Sequence, residues 1–288
     1  MPRIRLAILV AIRVVLNTSH RMIYPFLPVF ARGLGVDLTT VSTLVANRSL
    51  IGAATPFLFP FIEPRGRRFG MLLGAGLVTG AMGLVAVWPS LPSLGVAMVL
   101  GLVGKTFFDP SMLAYVADHV PYEKRGTATA FAEFAWSLSF ILGVPAMGFL
   151  IAQFKWSTPF AVLSLTTALA CILLAWTVRD SHKPARHANG IFGNVRDIFT
   201  STPVLAGLAI GLFASMANEV INLLFGVWLE DSFQLQITAL AGASAVIGLS
   251  ELGGEGLVAL LADRLGKARS TGLGMTANCM AALLLPVI

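Results

Sequence analysis

The chain has 288 residues, of which 56% are hydrophobic and 12% are charged, and its net charge is +6 at pH 7. Soluble domains carry about 25% charged residues, so the composition excludes an ordinary soluble domain and indicates a protein that lies in a lipid bilayer. The basic residues fall in short clusters between apolar runs and not on one accessible face, which argues against a nucleic-acid partner.

Nine apolar runs are long enough to cross a hydrocarbon core of about 30 Å, which takes roughly 20 helical residues. Six runs lie at about 6–30, 39–62, 69–88, 92–117, 126–152 and 157–178, and three more at about 202–229, 237–261 and 270–288. We therefore predict an all-α integral membrane protein. It has an N-terminal six-helix transmembrane domain (1–180), a cytoplasmic linker (181–199) and a C-terminal half with three helices (200–288).

The distribution of lysine and arginine predicts the orientation of these helices, because cytoplasmic loops carry the excess of basic residues. With the N-terminus inside, 14 of the 20 Lys and Arg residues fall in cytoplasmic segments, whereas only Arg32 and Lys155 fall in outer loops. We therefore predict a cytoplasmic N-terminus and a multi-pass protein of the plasma (inner) membrane.

Two charged turns of the same form lie 200 residues apart. In each, an acid is followed three positions later by glycine and then by basic residues. The residues are Glu63, Gly66, Arg67 and Arg68 after the second span, and Asp263, Arg264, Gly266 and Lys267 after the eighth. This pattern resembles the loop signature of the major facilitator superfamily, and FFDPSMLAYVADHVPYEKRGTATA (107–130) resembles the end of that family's fourth helix and the following loop.

The resemblance implies a pseudo-symmetric bundle of two halves, with a central cavity lined by helices 1, 4, 7 and 10. Substrate binds between the halves, which rock around it. In this family the acid of the charged turn latches the inner gate. The family usually has twelve helices, so nine spans predict a chain that stops after the ninth. SFILGVPAMGFL (139–150) loosely resembles the fifth-helix signature of the exporters, which favours efflux.

Nine ionisable residues lie inside the predicted spans, where an isolated charge is costly and therefore faces a cavity or a partner. They are the bases Arg13, Arg21, Arg48 and Lys105 and the acids Asp109, Glu133, Glu219, Glu251 and Glu255. Helical periodicity places the polar ones on shared faces. The candidate substrate cavity comprises Arg13, Asn17, His20, Arg21, Tyr24, Arg48, Lys105, Asp109, Asn218, Glu219 and Asn222.

Several of these residues have structural interpretations as well. Lys105 and Asp109, four positions apart, can form a neutralised pair, and Arg13 can extend to the cytoplasmic face. His20 can serve helix packing, and Glu133 can serve the inner gate. Arg48, Glu219 and Glu251 are the hardest to explain structurally, because they are central and have no oppositely charged partner on their own helix.

Together these features predict a secondary transporter of a small molecule that works by alternating access and is coupled to protons. Burial disfavours the charged form of a carboxylate, so Glu219, Glu251 and Glu255 are the candidate proton carriers. The alternatives are an uptake symporter for sugars or organic anions and a fragment unable to transport. A membrane-embedded enzyme would need ligands or a nucleophile set, which neither His20 nor Cys171 and Cys279 supply. We expect a monomer in the lipid bilayer without metal or cofactor.

Overall fold

The computed structural model of the protein describes residues 3–58, 62–178 and 200–284. Every regular element within these three ranges is helical. A bilayer core offers no water to backbone N–H and C=O groups, and a helix pairs these groups within one segment. The all-α class predicted from the apolar runs is therefore confirmed for the described part of the chain.

The helices follow the predicted runs in order. The first half contains α1 (Arg3–Arg21), α2 (Leu27–Leu34), α3 (Leu38–Ala54), α4 (Arg67–Val87), α5 (Leu91–His119), α6 (Tyr122–Leu138), α7 (Val144–Gln153) and α8 (Thr158–Thr177). The second half contains α9 (Thr202–Phe233), α10 (Ile237–Leu265) and α11 (Lys267–Leu284). Short 3-10 turns lie at Thr55–Leu58 and Glu63–Arg65.

Six described segments are long and apolar enough to cross a membrane: α4, α5, residues 127–153 of α6 and α7, α8, α9, and Ile237–Leu257 of α10. The helices α2 and α3 meet the same test only as a pair that is bent by 119°, which gives up to seven spans. This makes the protein a multi-pass membrane protein. The total of nine spans stays a prediction, because α1, with its four arginines, and α11 are not among these segments.

The first predicted span, 6–30, is wrong as a single continuous helix. The helix α1 ends at Arg21, residues 22–26 form a turn, and α2 begins at Leu27. Pro25 explains the interruption, because proline lacks the N–H that a helix needs and its ring clashes with the preceding turn. Tyr24 therefore lies in the turn and not on the helix that carries Arg13. The second span is also shorter than predicted, since α3 ends at Ala54.

The fifth predicted span contains a π-helical segment, Ser139–Gly143, between α6 and α7. Pro145 stands at the start of α7 and has no N–H to continue an α-helical ladder, so one widened turn fits here. This segment packs against both α1 and α10. It therefore joins the first half of the bundle to the second.

The two halves approach closely at glycines of the second half. A Cβ atom added to Gly226 of α9 would lie 2.7 Å from the carbonyl oxygen of Tyr24, in the turn after α1. A Cβ atom on Gly248 of α10 would lie 2.9 Å from the backbone nitrogen of Ile141, in the π-helical segment. Small residues allow such contacts between membrane helices. These contacts place the polar residues of α9 and α10 beside those of α1.

Candidate functional site

Arg13 ties three helices of the first half together. Its side chain is 6% exposed. The Nε atom donates a hydrogen bond to Oδ1 of Asp109 at 3.1 Å, and Nη1 donates to Oε1 of Glu133 at 2.9 Å and to the carbonyl oxygen of Ala132 at 3.0 Å. The interpretation in which Arg13 extends to the cytoplasmic face is therefore wrong.

Lys105 completes this network. Its Nζ atom donates to Oδ2 of Asp109 and to Oδ1 of Asn17, each at 2.5 Å. The pairing of Lys105 with Asp109 that their spacing predicts is confirmed. Arg13 of α1 donates to Asp109 and Asn17 of α1 accepts from Lys105, so α1 contacts both members of the pair on α5. The network lies entirely within the first half of the bundle.

Arg21 makes an ionic contact between the two halves through both of its terminal nitrogens. Its Nη1 and Nη2 atoms donate to the two carboxylate oxygens of Glu251 on α10, at 2.8 and 2.6 Å. Such a paired geometry is the favoured one for arginine and a carboxylate. Nη1 also donates to the carbonyl oxygen of Trp136, and the guanidinium lies 3.4 Å from the centre of the Phe140 ring. The ring face adds a cation–π attraction.

A second contact between the halves runs through the hydroxyl group of Tyr24. This hydroxyl accepts a hydrogen bond from Nη2 of Arg48 at 2.6 Å and donates to the carboxylate of Glu219, whose oxygens lie at 2.9 and 3.1 Å. The guanidinium of Arg48 and the carboxylate of Glu219 are 3.7 Å apart, too far for a direct hydrogen bond. Tyr24 therefore bridges an arginine of α3 and an acid of α9.

A cavity of about 560 Å³ opens beside this bridge, between the two halves. Its volume falls in the range of about 300–1,000 Å³ that is usual for small-molecule sites. The first half contributes His20, Tyr24, Arg48, Ser49, Gly52 and Leu102, and α9 contributes Leu212, Ser215, Met216 and Glu219. The cavity thus combines apolar walls with one base and one acid.

Several residues of the predicted site do not line this cavity. Five of them belong to the networks described above: Arg13, Asn17, Arg21, Lys105 and Asp109. Asn218 is exposed and Asn222 is half-buried, and neither belongs to the cavity lining that α9 contributes within the described residues. Glu255 lies one turn beyond Glu251 on α10, within electrostatic range of Arg21 and Glu133. Helical spacing places Asn218 and Asn222 on the same polar stripe as Glu219. In the fold, however, α9 is rotated so that only part of that stripe faces the cavity.

Trp136 is a central residue that the sequence analysis missed. Its ring lies 4.4 Å from the guanidinium of Arg21 and 5.0 Å from Nζ of Lys105, and its carbonyl oxygen accepts from Arg21. The ring centroid of His20 is 6.5 Å away. The spacing of polar residues along a helix does not indicate a role for an aromatic residue, because a tryptophan in an apolar run usually serves packing. Its position among cations is visible only in the fold.

The matching glycines of the charged turns have the same backbone conformation. Gly66 has φ 93° and Gly266 has φ 83°, values that favour glycine. In the first turn, Arg67 contacts Asp118 of α5 at 3.5 Å and Arg68 donates to the carbonyl oxygen of Ala175 on α8. The side chains of Glu63, Asp263, Arg264 and Lys267 lie outside the described residues, so their gating role stays a prediction.

Comparison with known proteins decides the family. The model of the Major Facilitator Superfamily matches residues 9–288. The chain belongs to the major facilitator superfamily. This confirms the resemblance of the charged turns and assigns the chain to a family of transporters and not of enzymes.

Two relatives within the superfamily illustrate its range. The MFS-type transporter YceJ of Bacillus subtilis (strain 168) is 25% identical over 277 residues, which cover 94% of this chain and 70% of YceJ. The multi-drug resistance efflux pump PmrA of Streptococcus pneumoniae serotype 4 (strain ATCC BAA-334 / TIGR4) is 25% identical over 267 residues, which cover 88% of this chain and 65% of the pump.

Two solved structures show the same fold. A bacterial homologue of the human lysosomal transporter Spinster, in an inward-facing and unoccupied conformation, matches with a TM-score of 0.72 and 14% identity over 92% of this chain. A D-xylose-proton symporter matches with a TM-score of 0.68 and 17% identity over 91% of this chain. The chain spans between 63% and 70% of the length of these four proteins.

Proposed function

We propose that this chain is a proton-coupled secondary transporter that exports a small molecule by alternating access. The observation that carries the proposal is the cavity of about 560 Å³ between the two halves, lined by ionisable groups from both. A site at the interface between repeats is where secondary transporters bind their substrates. The orientation with the N-terminus inside belongs to this proposal and is supported by the basic residues of the predicted cytoplasmic segments.

The proton-carrying groups in this proposal are Glu219 and Glu251. Tyr24 and Arg48 face Glu219, with His20 in the same cavity, whereas Arg21 and Glu255 face Glu251 and Glu133 lies near them. In the ionised form each carboxylate attracts a donor of the opposite half. Protonation removes that charge and weakens the attraction, so proton binding favours the separation of the halves at this level. A ligand shifts such a balance only through its different affinity for the two states.

Export is the proposed direction, supported by the similarity to efflux pumps such as PmrA and by the fifth-span segment 139–150. The test uses membrane vesicles from cells that produce the full chain, with an imposed pH gradient. The probes are ethidium, fluorescein and radiolabelled xylose. We expect inverted vesicles with an acidic interior to accumulate at least one probe. Accumulation of the probes only in right-side-out vesicles would contradict export and indicate uptake. No accumulation in either type of vesicle would contradict transport by this chain.

Glu219→Gln tests the coupling. This variant should lose gradient-driven accumulation while it still exchanges labelled for unlabelled probe across the membrane. Asp231→Asn is the control, because Asp231 lies on the same helix, is exposed and is not part of the cavity lining that the described residues form. It should retain both activities. If Glu219→Gln loses exchange as well, Glu219 binds substrate or supports the fold and is not the proton carrier.

A further inference from the structure

Three arginines are buried in the described part of the chain, and the hydrogen-bonding capacity of one of them, Arg48, is largely unused. A guanidinium has five N–H donors. Arg13 and Arg21 each make three hydrogen bonds, and each directly contacts a carboxylate. Within the described residues, Arg48 makes one hydrogen bond, to Tyr24, and its Nε atom is buried without a partner. Its side chain is only 3% exposed.

This arrangement is unfavourable for the protein alone. A buried donor without a partner costs about 1–3 kcal/mol, and more when the group is charged. The nearest acid, Glu219, lies 3.7 Å from Nη2 of Arg48 and is bound to Tyr24 instead. A small void of about 10 Å³ next to Arg48 is at the lower limit for one water molecule. An acceptor from outside the chain would therefore satisfy the unused N–H donors of Arg48.

The position of Arg48 indicates where that acceptor enters. Arg48 lines the cavity of about 560 Å³, together with the apolar side chains Leu102, Leu212 and Met216. Arg21, Arg48 and Lys105 all lie within electrostatic range of His20, which lines the same cavity. Among the described residues, Arg21 makes three hydrogen bonds and Lys105 makes two, whereas Arg48 makes one and lies 3.7 Å from Glu219. Arg48 is therefore the cation of this group with the most donors left.

We propose that the transported molecules are amphipathic organic anions, with one carboxylate bound by Arg48 and an apolar body against Leu102, Leu212 and Met216. This inference rests on the proposed function, because it names the substrate class of the same cavity. Charge-assisted hydrogen bonds from arginine are among the strongest recognition contacts. The carboxylate of Glu219, close to the same guanidinium, opposes a bound anion, so removal of its charge strengthens anion binding.

The test is equilibrium binding to the purified full chain in detergent, measured by calorimetry without any gradient. The probes share one apolar body and differ in charge: 2-naphthoate, 2-naphthamide and 2-naphthylmethylamine. We expect 2-naphthoate to bind at least tenfold more tightly than the other two. Equal binding of acid and amide, preference for the amine, or no binding of 2-naphthoate would overturn the proposal. This comparison needs no substituted protein.

Variants then locate the site. Arg48→Gln should weaken 2-naphthoate binding at least tenfold, Arg48→Lys should weaken it less, and Glu219→Gln should strengthen it. Arg32→Gln, which removes an exposed base outside the cavity, should leave the dissociation constant unchanged. Equal effects of Arg48→Gln and Arg32→Gln would overturn the assignment to Arg48.

A pair of bulky substitutions separates the central cavity from a second one. Leu212→Trp fills the central cavity and should block 2-naphthoate. Val96→Trp fills a cavity of about 310 Å³ between α3 and α5, which Arg48 also lines, and should not block it. The reverse result would overturn the site. A chain that binds 2-naphthoate but moves no probe in vesicles refutes only the proposed function, whereas one that transports but prefers the amide refutes only the substrate class.

Discussion

The two charge networks that start from the first span differ in which parts of the molecule they join. The network of Arg13, Asp109, Glu133 and Lys105 lies wholly within the first half. The contacts from the end of α1 and the following turn, Arg21 to Glu251 and Tyr24 to Glu219, cross to the second half. Residues within the first span therefore take part both in a network inside the first half and in contacts between the two halves.

The two networks should respond differently to a movement of the halves. If the halves move relative to each other, the internal network stays intact, because all of its members move together. The crossing contacts must break and form again in each cycle. Breaking a buried ion pair by removal of one partner costs roughly 3–5 kcal/mol. We therefore expect substitutions in the first network to affect stability, and substitutions in the second to affect transport.

The largest expected effect on stability belongs to Arg13→Gln. The substitution leaves Glu133 and one oxygen of Asp109 without their cation, and we expect a loss of about 3 kcal/mol in the free energy of unfolding, the lower end for buried pairs, because Glu133 is partly exposed. Thermal unfolding of the purified protein measures it. The control Arg32→Gln breaks an exposed pair and should cost less than about 1 kcal/mol. Equal melting temperatures for both variants would contradict the comparison.

The next effect concerns transport and uses a double-mutant cycle. Arg21→Gln and Glu251→Gln should each slow transport at least tenfold, because each leaves a partly buried charge without its partner across the halves. The double variant should be no slower than the slower single variant, since it leaves no stranded charge. Initial rates in vesicles measure the cycle. Losses that multiply in the double variant would show that the two residues act independently.

The smallest effect is expected for Tyr24→Phe. The change removes the hydroxyl group between Arg48 and Glu219 but leaves the two charges free to approach each other. A net loss of about 1 kcal/mol in the free energy of unfolding follows for one hydrogen bond. The exposed Tyr122→Phe is the matched control and should cost nothing measurable. A loss as large as that of Arg13→Gln would place Tyr24 in the rigid network and remove the distinction.

Several features of the site could be predicted from single helices. Lys105 and Asp109 are four residues apart, and that spacing alone brings them together on one helix face. Arg48, Glu219 and Glu251 were singled out because no partner was available within their own helices. In the structure their partners are Arg21, at the end of α1, and Tyr24, in the turn that follows it. Asn218 and Asn222 show the limit of this approach, since a stripe does not indicate how a helix is rotated against its neighbours.

The membrane class, the order of the apolar segments and the similarity of the charged turns to a family signature could all be predicted from the sequence. Each of these depends on composition or on residues close together along the chain, where hydropathy, helical period and a glycine with positive φ act locally. The contact of Arg21 with Glu251, the place of Tyr24 between Arg48 and Glu219, and the place of Trp136 among the cations depend on the packing of the helices. Residues up to 230 positions apart meet there because helix packing, which no local pattern encodes, brings them together.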